Sequence, residues 1–113
     1  MIEKRKEARI PVEALPDCLK TVILNVGLFQ EYTATTVDAT NSGMGFYVEG
    51  INTKDLRKGE YINIKILPYN YKLKGKIIYV KDIGDNKTRF GIEFVKEKDL
   101  DKFTELLNLD IYK

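Results

Sequence analysis

Two short groups of side chains in this sequence could together recognise a ligand that carries phosphates and flat rings. The first group is Arg5 and Arg9, which are separated by three residues and stand just before Ile10. Arginine is scarce, with four residues against fifteen lysines, so lysine serves wherever the chain only needs solvation. The planar guanidinium matters where a phosphate must be held by two parallel hydrogen bonds or a base must be stacked. The two arginines therefore indicate a binding role that depends on geometry.

The second group lies in the turn that begins at Asp38 and includes Thr40, Gly43 and Gly45. Asp38 and Thr40 can each direct a side-chain oxygen towards nearby backbone or towards a ligand. Glycine permits positive φ angles and the close approach of another molecule, which favours a binding turn. An ordinary hairpin with Asx-turn hydrogen bonds would use the same residues, so the turn alone leaves both interpretations open.

The composition indicates one small globular domain. The chain has 113 residues, of which 43% are hydrophobic and 32% are charged, and this is enough apolar content for one buried core. The formal net charge is +2, and residues 1–9 hold four cations and two anions, so the basic excess lies at the N-terminus. Such a small charge does not predict a nucleic-acid groove. No segment is long and apolar enough for a membrane span or a signal peptide, so we expect a cytoplasmic protein without membrane insertion.

The residue types that usually carry catalysis or hold metals are largely missing. The chain contains no histidine and a single cysteine, Cys18, which excludes an internal disulfide and the usual zinc and non-haem iron ligand sets. It has no Gly-x-Ser-x-Gly turn and no phosphate-binding glycine loop followed by Lys-Ser or Lys-Thr. We therefore expect no catalytic residue, no metal site, no cofactor and no enzymatic activity.

Alternating hydrophobicity predicts about six strands, followed by one helix. The predicted strands span Cys18 to Val26, Phe29 to Val37, Gly45 to Val48, Tyr61 to Ile66, Tyr71 to Val80 and Arg89 to Phe94. Gly75 inside the fifth strand predicts a bend or bulge. From Asp99 to Leu109 the apolar residues recur at helical spacing. The fold class is therefore all-β with one helix: an antiparallel β-barrel of about six strands, with a C-terminal α-helix over one opening or side.

These features together resemble the PilZ family, whose small β-barrels bind the bacterial second messenger cyclic di-GMP. That family carries Arg-x-x-x-Arg on an N-terminal arm and, further along, (Asp/Asn)-x-Ser-x-x-Gly at the end of a strand. This sequence offers Arg5 and Arg9, then Asp38-x-Thr40-x-x-Gly43. Its final strand and helix also resemble the family's closing segment, so the resemblance covers nearly the entire chain. One position departs, because Thr40 stands where the family usually has serine.

The resemblance implies a split-barrel fold in which residues 1–12 form a flexible arm and residues 13–113 form the barrel with its C-terminal helix. It implies that Arg5 and Arg9 bind phosphate, the guanine O6/N7 edge and the base face, while Asp38 binds guanine N1 and N2. Thr40 would supply a hydroxyl hydrogen bond, and Gly43 would leave room for the ligand. The arm, mobile when empty, would fold across the barrel with its ligand and signal to an unidentified protein partner in motility, biofilm or secretion control.

Two other functions stay open on the sequence. The first is a PilZ-like protein-interaction module that does not bind the dinucleotide. This possibility stays open because Thr40 departs from the serine that is usual in the family. The second is an oligonucleotide-binding barrel that stacks bases on some of its seven tyrosines and five phenylalanines. Most of these aromatic residues fall on the predicted core face, which weakens the second possibility.

Overall fold

Antiparallel β-strands are the predominant secondary structure. A computed structural model describes residues 8–27, 30–51 and 53–109. The strands are β1 (Ile10–Pro11), β2 (Thr21–Val26), β3 (Gln30–Ala39), β4 (Gly43–Glu49), β5 (Tyr61–Ile66), β6 (Tyr71–Gly84) and β7 (Lys87–Glu93). The helix α1 (Glu97–Leu107) follows β7, and short 3-10 turns occupy Val12–Ala14, Asp17–Leu19 and Thr53–Asp55. Each predicted strand and the predicted helix is present; β5 has the predicted bounds, and the ends of the other elements are shifted.

Strand pairing closes β2 to β7 into a barrel. The hydrogen-bonded order is β1-β3-β2-β5-β6-β7-β4, and an additional pairing joins β3 to β4, so that the sheet meets itself. The pairings are antiparallel, and the two-residue β1 continues along β3 beyond the end of β2. This confirms the predicted fold class of an antiparallel barrel with one C-terminal helix.

The barrel interior is filled by alternate residues of its strands. On β5, Ile62, Ile64 and Ile66 are all buried, as an alternation of period two requires. The rings of Phe46 on β4 and Phe90 on β7 pack against each other inside, with centroids 5.3 Å apart. Burial of apolar surface stabilises a fold by about 25 cal/mol per Å², so these side chains hold the barrel together.

Helix α1 packs on the barrel with its apolar face. Phe103 and Leu106 are buried, and the Phe103 ring centroid lies 4.6 Å from that of Phe94, which follows β7. The helix begins at Glu97 and ends at Leu107, so both ends lie earlier than the sequence predicted. Neither α1 nor any other helix in the described ranges is long and apolar enough to cross a membrane.

Two bulges turn side chains towards the outer face of the barrel. The register of β3 with β4 shifts between Thr36 and Asp38, and that of β6 with β7 shifts between Ile77 and Tyr79. Each extra residue breaks the alternation, so the residue after the bulge faces the opposite side from the one that strict alternation predicts. Asp38 and Tyr79 consequently face outward.

Of the bend or bulge that the sequence predicted at Gly75, the bulge is wrong, because β5 and β6 pair there without a shift, and the bend stays a prediction. A methyl group at Gly75 would lie 2.7 Å from the Cδ1 atom of Ile92. The glycine is therefore required by packing inside the barrel.

Candidate functional site

Arg9 and Asp38 meet on the outer face of the barrel. The Arg9 Nη1 group donates a hydrogen bond to Asp38 Oδ2 over 2.6 Å, so the two side chains form an ion pair. The pairing of β1 with β3 brings the two residues together, because it places Pro11, two residues after Arg9, opposite Asp38. The structure thus joins one residue of each predicted group, whereas Arg5 lies outside the described residues.

Gly45 provides the space that the Asp38 carboxylate occupies. The two residues lie opposite each other in β3 and β4, and a methyl group at Gly45 would lie 2.8 Å from Asp38 Oδ1. Among the described residues, Asp38 accepts a hydrogen bond at Oδ2, from Arg9, and none at Oδ1. Within the described part of the chain, one carboxylate oxygen is therefore left for a further donor.

The turn between β3 and β4 is held by its own hydrogen bonds. The Thr40 N–H donates to the Gly43 carbonyl oxygen over 2.9 Å, and the Ser42 N–H donates to Thr40 Oγ1 over 3.2 Å. The threonine hydroxyl accepts this bond with one lone pair and keeps its O–H for another acceptor. The turn therefore has the internal hydrogen bonds of an ordinary hairpin. The O–H of Thr40 is the group of this residue that is left to contact a ligand.

Gly43 and Gly45 serve close packing, and neither adopts the positive φ that glycine permits. A methyl group at Gly43 would overlap the Ile92 carbonyl oxygen of β7 and lie 3.3 Å from the Cα of Glu93. Gly43 therefore lets β4 pair closely with β7. Its contact with a ligand stays a prediction.

A surface cavity of about 330 Å³ connects the predicted residues. Arg9, Asp38, Thr40 and Gly43 all line it, so the structure brings together each predicted site residue that it describes. Its volume lies at the lower end of the roughly 300 to 1,000 Å³ of small-molecule sites. The predicted residues contribute one guanidinium, one carboxylate and one hydroxyl to the lining, and Ser42, Tyr79 and Glu93 add further polar groups, which suits recognition of a polar ligand.

Tyr79 of β6 is a cavity residue that the sequence reasoning missed. Its side chain lies over Gly91, where a methyl group would stand 3.0 Å from the Tyr79 Cδ2 atom and 3.1 Å from Cζ. Gly91 pairs with both Tyr79 and Gly45, so Tyr79, Gly91, Gly45 and Asp38 form one row across four strands. The available signal was the run Ile77-Ile78-Tyr79-Val80, because four successive apolar residues break the alternation and favour a bulge.

Nearly the whole chain matches one protein-family model: that of the PilZ domain, over residues 3–109. The chain belongs to the PilZ family. The matched range includes Arg5, Arg9 and the turn from Asp38 to Gly43, so the resemblance drawn from these residues is confirmed. No curated protein matches the sequence of this PilZ domain.

Solved structures share the fold of this PilZ domain at low sequence identity. The PilZ domain of YcgR from Escherichia coli with c-di-GMP has 15% identity and a TM-score of 0.62, over 97% of this chain and 94% of that one. The MrkH–c-di-GMP complex of K. pneumonia has 14% identity and a TM-score of 0.69, over 99% and 55%. The motility inhibitor MotI/DgrA of Bacillus subtilis has 15% identity and a TM-score of 0.58, over 98% and 51%. This chain thus spans about half the length of MrkH and MotI, and the likeness concerns the fold.

Proposed function

We propose that this PilZ domain is a receptor and effector for cyclic di-GMP. The observation that carries the proposal is the ion pair of Arg9 and Asp38, which joins the two family motifs beside one cavity. The similar structures of YcgR and MrkH are described with c-di-GMP. This ligand has two phosphates and two guanines, so it offers acceptors to arginine and N–H donors to a carboxylate.

Each site residue has a chemical role towards the dinucleotide. Asp38 Oδ1 accepts from guanine N1 or N2, because Oδ2 already accepts from Arg9. Arg9 and Arg5 bind phosphate and the O6/N7 edge, and their planar groups stack on a base. The Thr40 hydroxyl donates to the ligand, because the oxygen already accepts from the Ser42 N–H. Gly43 keeps the backbone of the turn close to the cavity.

The ion pair contributes little to folding, so its groups are available to the ligand. An exposed pair is worth about 0.2 to 1 kcal/mol, and the Arg9 side chain keeps 75% of its surface exposed against 20% for Asp38. A hydrogen bond to a charged group contributes about 1.5 to 3 kcal/mol. Several such bonds together reach the roughly 8 kcal/mol of micromolar binding.

Ligand binding fixes the arm across the outer face of the barrel. Ile10–Pro11 is paired with β3, so Arg9 reaches the cavity from the side of β1. A dinucleotide that bridges the arm and Asp38 converts both into one continuous surface. In this proposal a cytoplasmic protein partner in motility, biofilm or secretion control reads that surface, and no catalytic group or cofactor is needed.

Titration calorimetry with cyclic di-GMP tests the proposal, with GTP and a short single-stranded DNA as control ligands. We expect wild-type protein to bind cyclic di-GMP with micromolar or better affinity and neither control to bind. Arg9→Ala should abolish this binding. Arg57→Ala is its matched control, because Arg57 lies outside the cavity and its Nε donates to the Lys54 carbonyl oxygen. Arg57→Ala should bind normally. If the protein shows no binding heat and no thermal shift at high ligand concentration, the receptor proposal is refuted.

A second function is favoured by the hydrogen bond that Thr40 Oγ1 accepts inside its own turn. A PilZ-like module that acts only through protein contacts would keep this turn and this fold without the ligand. Such a module would unfold cooperatively but show no heat with cyclic di-GMP. An oligonucleotide-binding barrel has less support, because Phe46, Phe90, Phe94 and Phe103 are buried in the core, where they cannot stack on bases.

A further inference from the structure

Tyr79 crosses two paired glycines on the outer face of the barrel. A methyl group at Gly91 would stand 3.0 Å from Tyr79 Cδ2, and one at Gly45 would stand 3.4 Å from Tyr79 Oη. The ring therefore lies over β7, and its hydroxyl reaches β4. Because neither glycine carries a side chain, the ring lies close to the backbone of the sheet.

The position of Tyr79 has no explanation in core packing. The bulge after Ile77 directs the ring out of the core, in which Ile77 itself is buried. Tyr79 keeps 38% of its surface exposed and lines the cavity together with Asp38. An aromatic ring that is supported on one side and open on the other is the arrangement on which nucleobases stack.

We infer that Tyr79 is the stacking platform for one guanine of the bound dinucleotide. The inference rests on the proposed function, since it assigns a further contact to the same site. Tyr79 Oη and Asp38 Oδ1 lie 3.4 Å and 2.8 Å from the same methyl position above Gly45. A guanine on the ring therefore has its N1 and N2 edge beside the open oxygen of Asp38, while Oδ2 stays with Arg9.

The three side chains then contact different parts of the ligand. The Tyr79 ring contacts the face of the base, the Asp38 carboxylate contacts its donor edge, and the Arg9 guanidinium contacts phosphate. The row across four strands fixes the distance between the ring and the carboxylate, because both lie on backbone that is paired through Gly91 and Gly45.

Substitutions at Tyr79 test the platform by calorimetric titration with cyclic di-GMP. Tyr79→Phe keeps the ring and should bind as wild type does. Tyr79→Ala removes it and should bind about five- to 150-fold more weakly, which corresponds to the loss of one base–aromatic stack. Tyr79→Leu should also weaken binding. Its side chain still covers Gly91 and Gly45, so this variant replaces Tyr79→Ala in the test if the alanine variant folds poorly. Tyr69→Ala is the matched control, because Tyr69 is 48% exposed outside the cavity and should leave the affinity unchanged.

A double-mutant cycle with Gly91→Ala tests whether the glycine acts through the ring. The new methyl group overlaps Tyr79 and displaces the ring, so it should weaken binding in the wild-type background. In the Tyr79→Ala background the same change should have no further effect, because the ring is already gone. Stacking should also reduce guanine absorbance with wild type and Tyr79→Phe, and this reduction should vanish in Tyr79→Leu.

The outcomes distinguish this inference from the proposed function. Wild-type affinity in Tyr79→Ala, or additive effects of the two substitutions, would overturn the platform and leave the receptor standing. Failure of the wild-type protein to bind cyclic di-GMP would overturn both.

Discussion

Replacing each of two glycines at the start of β4 by alanine should have different effects. In Gly43→Ala the new methyl group overlaps the Ile92 carbonyl oxygen, a backbone atom of β7 that cannot rotate away. In Gly45→Ala the methyl group meets Asp38 Oδ1 at 2.8 Å and Tyr79 Oη at 3.4 Å, both at the ends of side chains. We therefore expect Gly43→Ala to destabilise the barrel and Gly45→Ala to weaken ligand binding.

The free energy of unfolding should fall by about 2 to 4 kcal/mol in Gly43→Ala. Overpacking a closely packed position costs about 1 to 3 kcal/mol. The turn cannot relax freely, because the Thr40 N–H donates to the Gly43 oxygen over 2.9 Å and the Phe94 N–H to the Ser42 oxygen over 2.8 Å. Loosening one of these bonds adds about 1 kcal/mol. Since each kcal/mol lowers Tm by about 4 °C in a domain of this size, the expected decrease is about 8 to 16 °C.

Thermal unfolding without ligand, followed by circular dichroism, measures the loss of stability in Gly43→Ala. Titration with cyclic di-GMP well below Tm measures the loss of affinity in Gly45→Ala. Gly45→Ala should keep its Tm within about 4 °C of wild type and lose affinity, because the Asp38 carboxylate is displaced. A wild-type Tm in Gly43→Ala would refute the packing argument. An equal decrease in both variants would refute the distinction between backbone and side-chain contacts.

Three further predictions concern the arm, the turn and the helix. Arg9→Ala should abolish measurable binding of cyclic di-GMP in the titration and leave thermal unfolding nearly unchanged, because an exposed ion pair contributes at most about 1 kcal/mol. An unfolded variant, or one that binds normally, would contradict this assignment. Thr40→Ser should bind comparably or a little better, whereas Thr40→Val should bind about five- to hundred-fold more weakly, because valine offers neither the ligand contact nor the acceptor for the Ser42 N–H. Equal affinity of Thr40→Val and wild type would remove Thr40 from the site. Phe103→Ala should lower the free energy of unfolding by about 3 to 5 kcal/mol, because the ring is fully buried against Phe94. An unchanged midpoint of chemical denaturation would show that α1 adds nothing to the core.

Most of the barrel was predictable because its strands alternate regularly. β5 has the predicted bounds, and its three isoleucines face the core as expected. The first predicted strand was less accurate, since Asp17–Leu19 forms a 3-10 turn that buries Leu19 before β2 begins at Thr21. The pairing of β3 with β4 that closes the barrel depends on the whole register and not on any local pattern.

The position of the candidate residues around one cavity was predictable where it depends on residue type, and it was missed where it depends on a bulge. Arg9 and Asp38 carry their chemistry in the sequence, and the structure places them in contact. Strict alternation from Ile77 would place Tyr79 in the core, but one extra residue, Ile78, reverses the direction of the ring. A bulge is set by the pairing partner, so the sequence of β6 alone could indicate it but not place it.

Neighbouring residues on β4 and β7 have different roles on the inner and outer faces of the barrel. Phe46 and Phe90 are fully buried inside, whereas the adjacent Gly45 and Gly91 line the cavity outside. A substitution on the outer row can therefore change what the domain recognises while the hydrophobic interior stays the same. Over evolutionary time such a barrel can lose its ligand, or acquire a different one, by changes that leave the scaffold folded.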